Sequence, residues 1–190
     1  MLGLGNDLVH SSGTEIILID YTSDFSSDVD GWVEYAVTEG SMTISANQNP
    51  NSDGGPDESG WLKINWDTNQ TSVSGFQKTL HTNSIISGDD ITIGYRIFIP
   101  NSSNQFIGSD AITYSVVSMT GTSSLVNTSS SVGDQVDDFT SSTISPPNTS
   151  NTDEGETVKA QFRFSASADY PQAGADVYIK DFTFLHTRCC

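Results

Sequence analysis

The chain has 190 residues and a formal net charge of −17, from 7 Lys and Arg against 24 Asp and Glu. This excess of negative charge opposes binding to nucleic acid and to anionic membranes, so neither is a predicted partner. Charged residues make up only 16% of a composition rich in Ser, Thr and Gly, which favours strands and polar turns over helical bundles and coiled coils.

The first residues are predicted to form an N-terminal anchoring arm, residues 1–13, ahead of the first strand. Met1 to His10 has no Lys or Arg and is interrupted by glycines, so it does not fit a secretory signal peptide. The longest apolar run, Ile16 to Ile19, is far shorter than the roughly 20 residues that span a bilayer. We therefore expect a protein without a membrane partner.

Alternation of apolar and polar residues predicts ten strands. In chain order they are 15–21, 32–37, 41–46, 60–66, 74–80, 90–99, 111–119, 135–139, 158–168 and 176–185. The last strand changes phase between Ile179 and Phe182, which predicts a bulge near Lys180 or Asp181. The two longest patterns predict that Ile93, Tyr95, Ile97, Phe162 and Phe164 are buried and that Arg96 and Arg163 are not.

Strands without intervening helices predict an all-β protein, an antiparallel two-sheet β-sandwich of the jelly-roll type. The domain is expected to span residues 14–187, with long polar loops at 47–59 and 120–156 and a frayed tail at 188–190. The only cysteines are Cys189 and Cys190, and adjacent cysteines close a strained ring. No disulfide framework is therefore expected.

Catalytic motifs are not evident. The three histidines, His10, His81 and His186, suggest no nucleophilic triad by their spacing, and neither a phosphate-binding loop nor a dinucleotide fingerprint is present. Abundant carboxylates make acid–base pairs uninformative for glycoside hydrolysis. The sequence therefore predicts a protein that is not an enzyme, with a polysaccharide-degrading enzyme as the last-ranked alternative.

Five of the cations, Lys63, Arg96, Lys159, Arg163 and Lys180, fall inside predicted strands, and at least the first four take positions opposite the aliphatic residues. Together with an aromatic ring and several amides they predict one polar sheet surface with the chemistry that sugar recognition needs. The candidate glycan-binding residues are Trp61, Lys63, Asn65, Gln77, Arg96, Gln161 and Arg163. The alternatives are that these residues face solvent or an acidic neighbouring subunit, or that Trp61 is buried and Trp66 exposed.

Three blocks of sequence resemble the carbohydrate-binding-module jelly rolls of families four and nine. They are DFSSDVDGW with SMTIS at 24–45, SGFQKTLHTNSIISGDDITIGYRIFIPNSS at 74–103, and TVKAQFRFSAS with GADVYIKDFTF at 157–184. The resemblance implies a sugar-binding fold and a structural calcium ion between the first and last strands. Asp181 would then be the closing ligand, with Asp20 or Asp24 as its partner, although Lys180 stands where such modules carry a first aspartate.

The opening residues, MLGLGNDLVHSSG, resemble those of small virion proteins of marine tailed bacteriophages. This likeness implies a non-enzymatic virion structural protein, made in the host cytoplasm, that serves in capsid decoration or as a tail or fibre component. Its partners would be other virion proteins or copies of itself. The alternative function is a glycan-binding module that recognises polysaccharide on the host surface.

Overall fold

The computed structural model describes residues 15–35, 42–70, 73–81, 89–100, 111–118, 124–131, 136–144, 158–165 and 171–189. These residues form eleven strands: β1 (Glu15–Ser23), β2 (Val33–Tyr35), β3 (Met42–Gln48), β4 (Trp61–Trp66), β5 (Ser74–His81), β6 (Asp89–Ile99), β7 (Ala111–Ser118), β8 (Ser124–Ser131), β9 (Val136–Ile144), β10 (Val158–Ser165) and β11 (Asp176–Cys189). One 3₁₀ turn, Pro50–Asp53, accompanies them. Within these segments no helix has the length and apolarity to cross a membrane.

The strands form two antiparallel sheets. The first sheet has the order β3-β4-β11-β6-β9, and β1 pairs with the second half of β11. The second sheet has the order β2-β5-β10-β7-β8. Every pairing is antiparallel, so the predicted all-β sandwich is confirmed.

The core lies between the two sheets and is built by residues two apart in each strand, because alternate side chains of a strand point to opposite faces. The five side chains predicted as buried are each 4% exposed or less: Ile93, Tyr95, Ile97, Phe162 and Phe164. Arg96 and Arg163 are only partly buried. Aromatic rings pack together in this core. Phe76 stacks on Phe162 within the second sheet, with ring centroids 4.8 Å apart, and Tyr95 of the first sheet meets Phe162 edge-on at 5.1 Å between centroids. The face assignments of β6 and β10 are thus confirmed.

A β-bulge interrupts β11, which pairs with β6 on one side and with β4 and then β1 on the other. Its pairing with β6 shifts between Lys180 and Thr183, and Asp181 has a positive φ of 52°. The bulge reverses the alternation, so Val177 and Ile179 before it and Phe182 after it all enter the core. The predicted bulge is confirmed.

Three predicted boundaries need correction or cannot be followed. The predicted loop 120–156 contains β8 and β9. The strand predicted at 135–139 is the first half of β9, which continues along β6 until Ile144 lies opposite Ile91. The predicted tail is wrong at its start, because β11 continues through Cys189. The N-terminal arm lies outside the described residues.

Candidate functional site

The polar residues predicted as one surface lie on two separate faces of the sandwich. Trp61, Lys63 and Asn65 of β4 and Arg96 of β6 are on the outer face of the first sheet, since their strand neighbours enter the core. Gln77 of β5 and Gln161 and Arg163 of β10 are on the outer face of the second sheet. The prediction of one shared surface is therefore wrong for Gln77, Gln161 and Arg163, although Trp61 and Arg96 do lie together. Strand alternation assigns a face to each residue, but it does not assign a strand to a sheet.

Trp61 is buried beneath a covering segment, residues 49–60. Its side chain is 0% exposed and forms a small cluster with Phe98 and Tyr178. The Arg96 guanidinium carbon lies 4.9 Å from the Trp61 ring centroid. Glu58 of the covering segment binds this guanidinium at 2.5 Å. Trp61 therefore cannot serve as an exposed platform for a sugar ring.

Carboxylates satisfy the cations of the first sheet. Lys63 Nζ lies 3.0 Å from Asp176 Oδ2 and 3.5 Å from Asp53 Oδ2. Asn65 Nδ2 donates to Asp176 at 2.6 Å, and the Tyr178 hydroxyl donates to Asp53. Burial, together with the hydrogen bond to Asp53, raises the pKa of Tyr178 to about 12. Lys63 and Asn65 thus hold the scaffold together.

Glu58 neutralises a second pair of cations on the same face. Its carboxylate oxygens lie 2.9 Å from Lys180 Nζ and 2.5 Å from Arg96 Nη1. The hydrogen bond from Lys180, assisted by the one from Arg96, lowers the pKa of Glu58. Lys180 also donates to the Ser59 carbonyl at 2.8 Å. These contacts fix the end of the covering segment to the sheet.

The outer face of the second sheet aligns its polar residues in rows across three strands. One row is Val33, Gln77 and Gln161, and the next is Tyr35, Gly75 and Arg163. Gly75 lies between Tyr35 and Arg163 and leaves the space between their side chains open. A larger residue would not fit there, because its Cβ would lie 1.9 Å from the Phe162 carbonyl oxygen. The Arg163 guanidinium carbon accordingly lies 5.1 Å from the Tyr35 ring centroid, within range of a cation–π contact.

Hydrogen bonds run in one direction across this face. Arg163 donates from Nε and Nη2 to Gln161 Oε1 at 3.0 and 2.7 Å. Gln161, which is 5% exposed, donates in turn from Nε2 to Gln77 Oε1 at 2.8 Å. The Gln77 amide nitrogen has no partner among the described residues. The Gln77 amide therefore keeps two N–H donors, at the end of a series of hydrogen bonds that begins at Arg163 and fixes their orientation.

The predicted calcium ligands are not gathered into one site. Across the segments that the structure describes, no group of three His, Cys, Asp or Glu residues is placed to hold a metal ion. Asp181 Oδ2 lies 4.0 Å from Arg96 Nη1, and Asp24 accepts two hydrogen bonds from Ser26. Asp20 lies on β1 opposite Leu185. Calcium binding by Asp181 with Asp20 or Asp24 stays a prediction.

A buried ionic cluster was not predicted. Asp89 and His186 are 0% exposed, and His186 Nε2 lies 2.8 Å from Asp89 Oδ2. Arg188 donates to both oxygens of the same carboxylate at 2.6 and 2.9 Å. The sequence did contain a sign of this cluster, because Asp89 lies in the same alternation as the core-facing residues of β6. Tyr35 was also missed, although it shares an alternation with Val33 in β2.

The chain was compared with known proteins. No protein-family model matches it, and no curated protein matches it significantly. A cyclase from Fischerella sp. TAU is 13% identical and superimposes with a TM-score of 0.54, over 88% of this chain and 98% of that chain. The apo form of a cyclase from Fischerella sp. is 12% identical, with a TM-score of 0.52 over 96% and 91% of the two chains.

A xylan-binding domain from Paenibacillus barcinonensis was also found, at 13% identity and a TM-score of 0.47, over 94% of this chain and 98% of that chain. The likeness to the cyclases shows that this chain shares their fold. Fold alone does not assign a function, so the function has to be argued from the two outer faces.

Proposed function

We propose that the chain is a non-catalytic glycan-binding module and that it binds sugar on the outer face of the second sheet. The hydrogen-bonded chain from Arg163 through Gln161 to Gln77 carries the proposal. Sugar hydroxyls form directional hydrogen bonds, and a protein recognises them best with planar donors and acceptors that are already held in place. The outermost amide nitrogen of this chain supplies such donors.

The same face offers an apolar contact beside the donors. Val33 is 53% exposed and lies opposite Gln77, and the Tyr35 ring is held by Arg163 in the adjacent row. A pyranose ring presents C–H groups on its flat side, which pack against apolar and aromatic side chains. Donors and apolar contacts thus meet within two rows of the sheet.

The role in a phage particle that the opening residues predict fits this proposal. A module carried on a tail or fibre would use such a face to contact host polysaccharide. The predicted arm that would attach it lies outside the described residues, so the particle role stays a prediction.

Binding to a panel of soluble neutral and acidic polysaccharides tests the proposal, by affinity electrophoresis followed by calorimetry. We expect Gln77→Ala to weaken binding by about 1 to 2 kcal/mol, roughly tenfold, because it removes the free donors. Asn65→Ala is the matched control, since it removes an amide from the first sheet. Equal losses in both variants, or no binding of any glycan by the intact protein, would refute the proposal.

A further inference from the structure

Most cations of this acidic protein are neutralised by carboxylates. Of its 7 Lys and Arg residues, five lie within 4.0 Å of a carboxylate oxygen: Lys63, Lys78, Arg96, Lys180 and Arg188. The other two are Lys159 and Arg163. Within the described part of the chain, neither has a carboxylate partner.

These two cations lie on the same face of the same strand. In β10, Ala160, Phe162 and Phe164 enter the core, so Lys159 and Arg163 share the outer face of the second sheet with Gln161. Four residues at about 3.3 Å each place their Cα atoms roughly 13 Å apart. That separation suits anionic groups repeated along an extended chain better than a single small anion.

The described strands of the second sheet carry no carboxylate on this face. The five described strands of the second sheet contain one acidic residue, Glu34. Glu34 lies opposite Phe76, in the alternation that points away from Gln77. In a chain with 24 Asp and Glu, two cations without a carboxylate on the described strands of this face favour an anionic ligand over a cationic one.

We propose that this face binds a polysaccharide that carries carboxylate groups, a polyuronate. The inference rests on the proposed glycan-binding function and names its ligand class. Gln161 occupies Nε and Nη2 of Arg163, which leaves Nη1 for a ligand. A guanidinium edge and the Gln77 amide are planar donors that suit the two oxygens of a planar carboxylate. Lys159 then meets a second carboxylate further along the polymer.

The negative charge of the whole protein does not prevent this binding at physiological salt. The Debye length is about 8 Å at 0.15 M ionic strength, so carboxylates on the first sheet are largely screened from a ligand on the second. Direct contacts with Lys159 and Arg163 are screened much less. We therefore expect polyuronate binding to persist at 0.15 M salt.

Calorimetric titration of the full chain with polygalacturonate and alginate tests the inference, with the carboxyl-reduced form of each polymer as its neutral counterpart. We expect tighter binding of the charged polymers. Lys159→Gln and Arg163→Gln should each weaken that binding roughly tenfold, by loss of a charged contact, and thereby reduce the preference for the charged polymer. Lys63→Gln removes the same charge from the first sheet and should leave polyuronate binding unchanged. A cooperative thermal melt well above the assay temperature will show that each variant folds.

Four results would overturn the inference. Equal binding of the charged and neutral polymers would overturn the polyuronate class and leave the proposed glycan-binding function standing. Equal binding of dextran sulfate or single-stranded DNA would show that the face responds to charge alone. Undiminished polyuronate binding by both variants would remove Lys159 and Arg163 from the site. No binding of any polysaccharide would refute the inference and the proposed function together.

Discussion

Replacement of Trp61 distinguishes an exposed sugar platform from a buried part of the scaffold. The ring is 0% exposed and lies under the covering segment, with Arg96 above it. Truncation to Ala should therefore destabilise the whole domain. If Trp61 were the exposed glycan-binding residue that the sequence predicted, the same change would instead weaken polysaccharide binding and leave the fold unchanged.

The magnitude follows from area and hydrogen bonding. A buried Trp removes about 150 to 250 Å² from water, which at about 25 cal/mol per Å² contributes roughly 4 to 6 kcal/mol. The indole Nε1 is buried and has no hydrogen-bond partner among the described residues, which offsets about 1 to 3 kcal/mol of that gain. We expect Trp61→Ala to lower the free energy of unfolding by about 3 kcal/mol.

Urea unfolding followed by far-ultraviolet circular dichroism measures this change as a lower midpoint with a similar m-value. Trp61→Phe is the informative control, because it keeps an aromatic ring beneath Arg96 and removes the unpaired N–H. Its loss should be clearly smaller than that of Trp61→Ala. An unchanged midpoint in Trp61→Ala, combined with weaker glycan binding, would show that the covering segment does not bury the ring.

Two further predictions concern ion pairs. Asp89→Ala should lower the free energy of unfolding by about 3 kcal/mol in the same urea assay, because it leaves His186 and the Arg188 charge without their buried carboxylate; a loss below about 1 kcal/mol would contradict this. The hydrogen bond from Lys180 lowers the pKa of Glu58 in the folded protein below its value in the unfolded chain. The ionised Glu58 carboxylate therefore stabilises the fold at pH values above its unfolded pKa, and this stabilisation is lost as the pH falls through its folded pKa. Glu58→Gln should therefore show a shallower loss of stability between about pH 5 and pH 3 than the parent protein, and parallel curves would exclude the effect.

Alternation in the sequence predicted which side of each strand is buried. Ile93 and Phe162 lie in long runs of strict period two, and such runs leave one consistent choice of core face. The phase change between Ile179 and Phe182 likewise had one physical solution, a bulge, which the structure shows at Asp181. These features are local, so the sequence contains the information that determines them.

Features that depend on pairing between distant segments were not predictable in this way. β8 and the second half of β9 are rich in Ser and Thr and carry a weak strand signal. They form strands by pairing with β7 and with β6, respectively. The burial of Trp61 depends on Glu58, which reaches across to Lys180 of the last strand. Alternation placed Trp61 correctly on an outer face, but it carried no information about which segment would cover that face.

The two outer faces show why residue type alone did not identify the candidate site. Each carries an aromatic ring beside a guanidinium, Trp61 with Arg96 on one and Tyr35 with Arg163 on the other. On the first sheet Glu58 neutralises the guanidinium, and the ring beneath it is buried. On the second sheet the guanidinium donates to an uncharged amide and keeps its charge available for a ligand. The position of the carboxylates, more than that of the cations or rings, therefore decides which face we propose as the binding face.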